Sequence, residues 1–466
     1  MKISFHGAAG MVTGSKHLIT LENNQKLLLD CGMFQGFGKD TFELNQFFGF
    51  KPHEVDYLFL SHAHIDHSGL IPALVKEGYK GKIYCTPATY DLCKIMLADS
   101  AHIQEADAKH INKKMRKQGA PLITPLYTID DVNKCLEQFV AVDYDLEYKV
   151  NDFIKFTFTD NGHILGSATI NFVISEMGEI KKIAYTGDVG RYNQPLLQNP
   201  HSFPQADIII VESTYGDRLH SPMEESESKI LNAVIDTCMR KKGKLIIPAF
   251  SLGRTQEVVY ALNKLDLHGL LPDVKIFIDS PLSFSATNVM RSYLNNLNKS
   301  VKRFIETRSD PFGFEDVIYV QSREDSQRLN EIKEPCIIIS ASGMADAGRI
   351  KHHLMHNIGN PHNTVLLVGY AEKESLAGKI KHGEKEVRIF GDMYQVNADV
   401  VAVDSFSAHA DYGEILRFLS CQDPQQIEKV FIVHGERESQ ENLKLELKKS
   451  NFKHIFIPNI HESFYL

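Results

Sequence analysis

The stretch Ser61-His62-Ala63-His64-Ile65-Asp66-His67, set directly behind the apolar run Val55-Asp56-Tyr57-Leu58-Phe59-Leu60, decides how the rest of the chain is read. Four metal-ligating side chains stand within six residues. At the end of a strand, side chains two apart point the same way, so His62 and His64 can chelate one ion, while Asp66 and His67, in the turn that follows, can face a second. The apolar run is one of several short strands near the N-terminus: KISF, then HLITLE and QKLLLD joined across Asn23-Asn24, with Gly-rich turns between them. The glycine-bearing loop 7–16 lacks the G-x-x-x-x-G-K-[ST] spacing and leads into a strand, so it reads as a turn and not as a phosphate cradle.

Two further segments present a polar ligand at the end of a strand: Asp160-Asn161-Gly162-His163, which begins on the last residue of FIKFTFTD (153–160), and Thr186-Gly187-Asp188, which closes KKIAYTGD (181–188). With them a two-metal centre is complete enough to assign. His62, His64 and His163 would hold one ion and Asp66 and His67 the other, with Asp188 bridging and solvent in the open positions. Asp30, closing the strand KLLLD, is the carboxylate expected to orient a ligand histidine from behind. Nitrogen and carboxylate donors without thiolates suit zinc, and manganese or iron also fit such a set. Two divalent ions against the carboxylates of Asp66 and Asp188 leave a net positive pocket that attracts a phosphodiester. Bound metal brings the pKa of water down to about 7, which supplies a nucleophile at neutral pH.

Composition narrows the class. At 466 residues the chain is about three times a ~150-residue domain, which predicts two large domains or one domain with a large insertion. A hydrophobic fraction of 43% with 24% charged residues excludes a mainly disordered chain. No run approaches the ~18 to 20 apolar residues of a membrane span, and MKISFHGAAG lacks the layout of a secretory signal, so the expectation is a cytoplasmic protein with no membrane partner. Seven cysteines, odd in number and never in a C-x-x-C pair, argue against a disulfide framework and a thiolate zinc cluster. With 51 basic against 59 acidic residues the net charge is −8, so any polyanion must be drawn by a local field.

From about residue 70 to 137 the pattern is helical, and strands return afterwards. Beyond Asp207 strand and helix alternate (ADIIIVES, KLIIPAF, VKIFIDS, CIIIS, TVLLVGY), as in a parallel doubly wound sheet. This second unit is expected to close near EVRIFGDMYQV, after which VVAVDSF and KVFIVHG return to the first sheet. Open α/β sheets bind ligands at the carboxyl ends of their strands, here PAFSLGR, IDSP, SASGMA and VGY, loops expected to face the metals. Ser342 and Gly343 precede a helix and could cradle a phosphate with Arg349 or Arg254, although small residues suit a plain strand-to-helix turn equally well.

The motif SHAHIDHSG, followed by His163 and Asp188, resembles the metallo-β-lactamase fold, an αββα sandwich with a dinuclear site at one sheet edge. Glu212 in VESTYG, His409 in DSFSAHAD and His434 in VFIVHGE, with PAFSLGRTQE and ISASGMADAGRI, are similar to the β-CASP nucleases, in particular the RNA-processing branch. The resemblance covers nearly the whole chain. It implies an α/β protein with a metallo-β-lactamase domain begun in 1–208, an inserted β-CASP domain with a parallel α/β sheet in 209–395, and a C-terminal part of the first domain in 396–466. It also implies that His434 completes the second metal's ligands, that His409 touches the reacting phosphate or protonates the leaving oxygen, and that Glu212 orients His409.

By that resemblance the chain is a dinuclear zinc ribonuclease in which Asp66, His409 and Glu212 are catalytic and metal-bound hydroxide attacks single-stranded RNA threaded between the domains. Endonuclease action, with 5′-to-3′ exonuclease action beside it, is what the family leads one to expect. Three other readings compete: a hydrolase of a small thioester, lactam or phosphoester, a DNA hydrolase, and a catalytically idle RNA-binding scaffold. The insertion and His409 weigh against the first, and filled ligand positions against the last. The DNA branch carries valine at the position matching His434. The basic run 349–356, with Lys373, Lys379, Lys381, Lys385 and Arg388, reads either as a solvated helix face or as a local field that steers RNA. The run 455–466 is expected to pack on the sheet or against a second subunit as a homodimer.

Overall fold

A computed structural model of the protein describes residues 1–220, 224–369, 371–403 and 407–466. Tyr370, which ends VGY, and Asp404, Ser405 and Phe406, which end VVAVDSF and open DSFSAHAD, lie outside the described residues. The chain forms two compact units: Met1–Tyr192 with Asn199–Leu219 and His409–Leu466, and Asn193–Gln198 with His220–Ala408.

The first unit is built on two seven-stranded sheets. Along Lys26–Leu29, alternation sends Leu27 and Leu29 to one face and Leu28 to the other, and all three are buried, so this sheet is covered on both sides. Its inner face, with Ile3, Phe5, Ile19 and Phe59, meets Phe156, Phe158, Ile170, Phe172 and Phe431 of the second sheet. Phe59 stands edge-on to Phe172 at 4.8 Å and to Phe156 at 5.1 Å, contacts of about 0.5–1.5 kcal/mol each beyond the area they bury. On the far side of the second sheet, Ile209, Val211, Val430 and Ile432 pack under helices Tyr412–Leu419 and Arg437–Lys449. Helices Ile71–Lys76, Pro87–Gln118 and Ile129–Leu136 pack on one another beside the first sheet. The result is the expected αββα sandwich.

Within the span read as helical lies a strand, Lys82–Cys85, paired parallel with Tyr57–Phe59; four residues between two helices are too few to show a period of their own. The C-terminal strand Ser463–Tyr465 pairs antiparallel with the strand Lys2–Phe5, so the end of the chain packs on the edge of the first sheet.

In the second unit six parallel strands run in the order Val317–Tyr319, Lys275–Asp279, Cys336–Ser340, Leu245–Pro248, Thr364–Val368, Asp399–Val403. Wholly parallel sheets are buried on both faces, which is why CIIIS, LIIP and TVLLV are unbroken buried runs.

Two strands fall on the other side of the expected divisions. Ile208–Val211, read as the opening of the inserted unit, pairs parallel with Glu179–Tyr185 and Lys429–Ile432 in the first unit's second sheet. Asp399–Val403, read as returning to the first sheet, pairs parallel with Thr364–Val368 at the edge of the inserted sheet. A short apolar run suits a parallel sheet in either unit, and only the partner strand decides.

Candidate metal centre

Five strands of the first unit present side chains from their carboxyl ends. Tyr57–Phe59 leads to His62–His67, Ile154–Asp160 to His163, Glu179–Tyr185 to Asp188, Ile208–Val211 to Glu212, and Lys429–Ile432 to His434. His409 is brought in by backbone pairing with Gly190 and by the Ala410 N–H, which donates to Val189 O at 2.8 Å. Gly187 allows the close turn before Asp188: its φ is 55°, and a Cβ there would stand 2.6 Å from Ser61 Cβ.

Two groups of donors result. His62 Nε2 and His163 Nε2 lie 3.1 and 3.2 Å from His64 Nδ1, and 3.5 and 3.6 Å from Asp188 Oδ2. His67 Nε2 lies 3.2 Å from His434 Nε2 and 3.3 Å from Asp188 Oδ1, while Asp66 Oδ2 is 3.4 Å from His434 Nε2. Asp188 thus gives one oxygen to each group.

These donors fit divalent ions. Burial and neighbouring imidazoles hold His62 and His163 well below the ordinary histidine range, and burial brings His64 down to about 4, so their rings are neutral with open lone pairs. Lone pairs facing one another at 3.1–3.2 Å repel unless a cation sits among them, and the edge of a tetrahedral zinc site with bonds near 2.0–2.1 Å is about 3.3 Å. Among the described residues, no hydrogen bond is donated to the buried Asp188 Oδ1.

Behind the ligands stands Asp30, fully buried with φ 58°. Its Oδ2 lies 2.6 Å from His67 Nδ1 and accepts from Ser61 Oγ at 2.7 Å and Tyr185 OH at 2.6 Å, while Oδ1 accepts from the Ser61 N–H at 2.7 Å. A carboxylate behind a ligand imidazole fixes its tautomer and raises its basicity. Ser61 Oγ is also 3.0 Å from His62 Nδ1, and Thr214 Oγ1 is 3.1 Å from His434 Nδ1. Sequence reasoning assigned no role to Ser61, Tyr185 or Thr214. Ser61 and Thr214 sit inside quoted motifs, whereas nothing local marks Tyr185.

His409 Nδ1 lies 3.2 Å from both oxygens of buried Glu212, whose Oε1 accepts from the Val189 N–H at 2.6 Å and Oε2 from the Thr214 N–H at 3.2 Å. Asp188 Oδ2 is 3.9 Å from the same nitrogen. Burial opposes a charge on His409, but Glu212 and Asp188 outweigh it and its pKa is pushed up to about 9. The pair is a braced imidazole beside the clustered His and Asp donors, suited to holding a proton.

The four residues expected to bind phosphate lie in the second unit. Arg254 is buried and ion-paired to Glu257. The Arg349 guanidinium donates to Asp279 Oδ1 at 2.6 Å and to Gln321 O at 2.7 Å. Both guanidinium groups are engaged by carboxylates. Ser342 Oγ donates to Ala347 O at 3.3 Å, and a Cβ on Gly343 would stand 2.7 Å from the Phe250 ring, so the glycine makes room for that ring.

Comparison with known proteins agrees with this architecture. Residues 14–233 match the model of the metallo-beta-lactamase superfamily, 255–380 that of the Beta-Casp domain, and 393–458 that of the Zn-dependent metallo-hydrolase RNA specificity domain. The chain is 34% identical over 439 residues to "Ribonuclease TTHA0252" of Thermus thermophilus, covering 94% of each protein. It is 33% identical over 460 residues to an "RNase J-like protein" of Methanocaldococcus jannaschii, covering 98% of this chain and 97% of that one. With "Transcription termination factor FttA" of Methanosarcina mazei it shares 30% over 432 residues, 89% of this chain and 64% of the factor. A crystal structure of a protein of unknown function from Enterococcus faecalis V583 shares the fold, with TM-score 0.53 and 10% identity over 100% of this chain and 99% of that one.

Proposed function

The chain belongs to the β-CASP family of metal-dependent hydrolases within the metallo-β-lactamase superfamily, and from that premise we propose that it is a dinuclear zinc ribonuclease that hydrolyses single-stranded RNA. The observation that carries the reading is the division of Asp188 between two imidazole groups, with the His409–Glu212 pair alongside. His62, His64 and His163 would hold one ion, and Asp66, His67 and His434 the other. Bound there, two zinc ions would acidify water and neutralise charge on the scissile phosphate.

The chain's own groups supply the rest. Asp30 keeps the proton of His67 on Nδ1, which leaves Nε2 as the donor. Glu212 holds the Nδ1 side of His409, so that its Nε2 is the atom offered to the substrate. As the oxygen of hydroxide bonds to phosphorus and the bond to the departing ribose oxygen breaks, His409 passes its proton from Nε2 to that oxygen and takes up another as the next water gives up its proton. Among the described residues no helix is long and apolar enough to cross a membrane, and the seven cysteines are free thiols, which accords with action in the cytoplasm.

The test is cleavage of matched, end-labelled single-stranded RNA and DNA by zinc-loaded protein, with Asp66→Ala as control. RNA cleavage lost in the variant is the expected result. Equal DNA cleavage would overturn the choice of substrate, and cleavage of neither would overturn the nuclease assignment.

A further inference from the structure

Strands Glu386–Ile389 and Asp392–Gln395 of the second unit form an antiparallel hairpin closed by Phe390-Gly391. Both turn residues have positive φ, 52° and 101°, in keeping with the two-residue turn that follows strand twist. Asn-Gly or Asp-Gly is the usual occupant of such a turn, and a phenylalanine in this backbone region is strained. Nor is the strain offset by burial, since the residue is 52% exposed.

The ring is held in place from helix Ile350–Asn357: Lys351 Nζ sits 4.8 Å from its centroid, and the His352 ring lies 4.6 Å away at 35°. Arg388 and Met393 pair across the hairpin and both are exposed. The surroundings are cationic. Burial lowers the pKa of His352, and neighbouring His353, His356, Arg323 and Lys351 lower it further. Of the hairpin's carboxylates, Glu386 is bonded to Gln395, and Asp392 sits across from Ile389. A chain of net charge −8 therefore carries Lys351 and Arg323 around His352, with Arg388 exposed on the hairpin beside the half-exposed Phe390.

We propose that Phe390, with Lys351, His352 and Arg388, is an auxiliary contact for single-stranded RNA: the ring stacks on a base while Lys351 and Arg388 attract the flanking phosphates. This rests on the ribonuclease reading above. Stacking on an aromatic beside cations binds any base and needs no hydrogen-bond readout, so the contact would raise affinity without setting sequence preference.

Phe390→Asn separates this role from a structural one, because asparagine suits the turn and relieves the strain. In an Asp66→Ala background, anisotropy of a fluorescein-labelled single-stranded RNA of about 20 nucleotides is expected to show Kd about tenfold weaker for Phe390→Asn. Its midpoint of thermal unfolding should be unchanged or higher, and Phe390→Trp should retain the parent's Kd. Replacing Lys351 and Arg388 together by Ala should flatten the plot of log K against log salt by about 1.4. In the active protein Phe390→Asn should raise KM and leave kcat alone. An Asn variant within twofold of its parent, or an unaltered salt slope, overturns the contact while leaving the ribonuclease reading standing. A parent that neither binds nor cleaves RNA overturns both.

Discussion

Asp66 and His409 belong to different groups of the same cluster, and their replacement should separate metal binding from proton transfer. Asp66 contributes a carboxylate oxygen to the group formed with His67 and His434. Its change to Ala is expected to leave about one zinc per chain by mass spectrometry and to remove most turnover. His409 is braced by Glu212 through Nδ1, so His409→Ala should keep both ions and still lose about 10²–10⁴ in kcat. Loss of an ion from that variant would make His409 a ligand. Asp30→Asn removes the charge behind His67 and is expected to weaken zinc about 10- to 100-fold in a chelator competition. How much of this was legible differs by residue. His62, His64, Asp66 and His67 lie within one short motif, so most of the proposed ligand set is legible from neighbouring residues. Glu212 and His434 follow otherwise ordinary strands, His409 stands alone in an isolated bridge with Gly190, and only family resemblance singles the three out. Tyr185 reaches Asp30 through the pairing of distant strands, and no local pattern encodes that.

At the level of elements, Asp279 is the link in the second unit. It ends the strand Lys275–Asp279 fully buried, with Oδ1 accepting from Arg349 at 2.6 Å, Oδ2 accepting from Ser326 Oγ at 2.5 Å and lying 2.6 Å from His353 Nε2. One carboxylate thus ties a strand to helices Arg323–Arg328 and Ile350–Asn357. Burial would raise its pKa, but the bonds from His353, Ser326 and Arg349 prevail and hold it below the ordinary carboxylate range. A depressed folded-state pKa means stability that is fully present above the unfolded value of about 3.9 and is lost as pH falls through the folded one. Asp279→Asn should cost about 3–5 kcal/mol at pH 7 because it leaves buried donors and a cation without their partner. In calorimetry of metal-free proteins the gap to wild type should hold from pH 8 to 5 and narrow below about pH 3.9; a gap that widens with acid would refute the linkage. Sequence alone reads Arg349 as a phosphate contact, because an arginine after a glycine-rich turn looks the same whether its anionic partner is a carboxylate from a distant strand or the phosphate of a ligand. The strands Ile208–Val211 and Asp399–Val403 were misplaced for a related reason: apolar runs announce a buried parallel sheet without naming the neighbour.

Across the whole molecule, the first unit draws its proposed ligands from separated parts of the chain, from His62 near the N-terminus to His434 in the returning segment. Ions that bind this arrangement and not the unfolded chain stabilise it by mass action, about 4 kcal/mol per site at a free concentration a thousandfold above Kd. The second unit has a core of its own, from Ile246 and Ile338 to Leu367 and Ile389, and contributes none of the proposed ligands. Thermal unfolding is therefore expected to show two transitions. Zinc loading should raise the one that Asp66→Ala lowers, by roughly 2–4 °C for each kcal/mol in a unit of this size. The transition lowered by Asp279→Asn should stay where it is under the same titration. If zinc moved both together, the two units would unfold as one, and the stabilisation from the metal centre would extend to a core that holds none of its ligands.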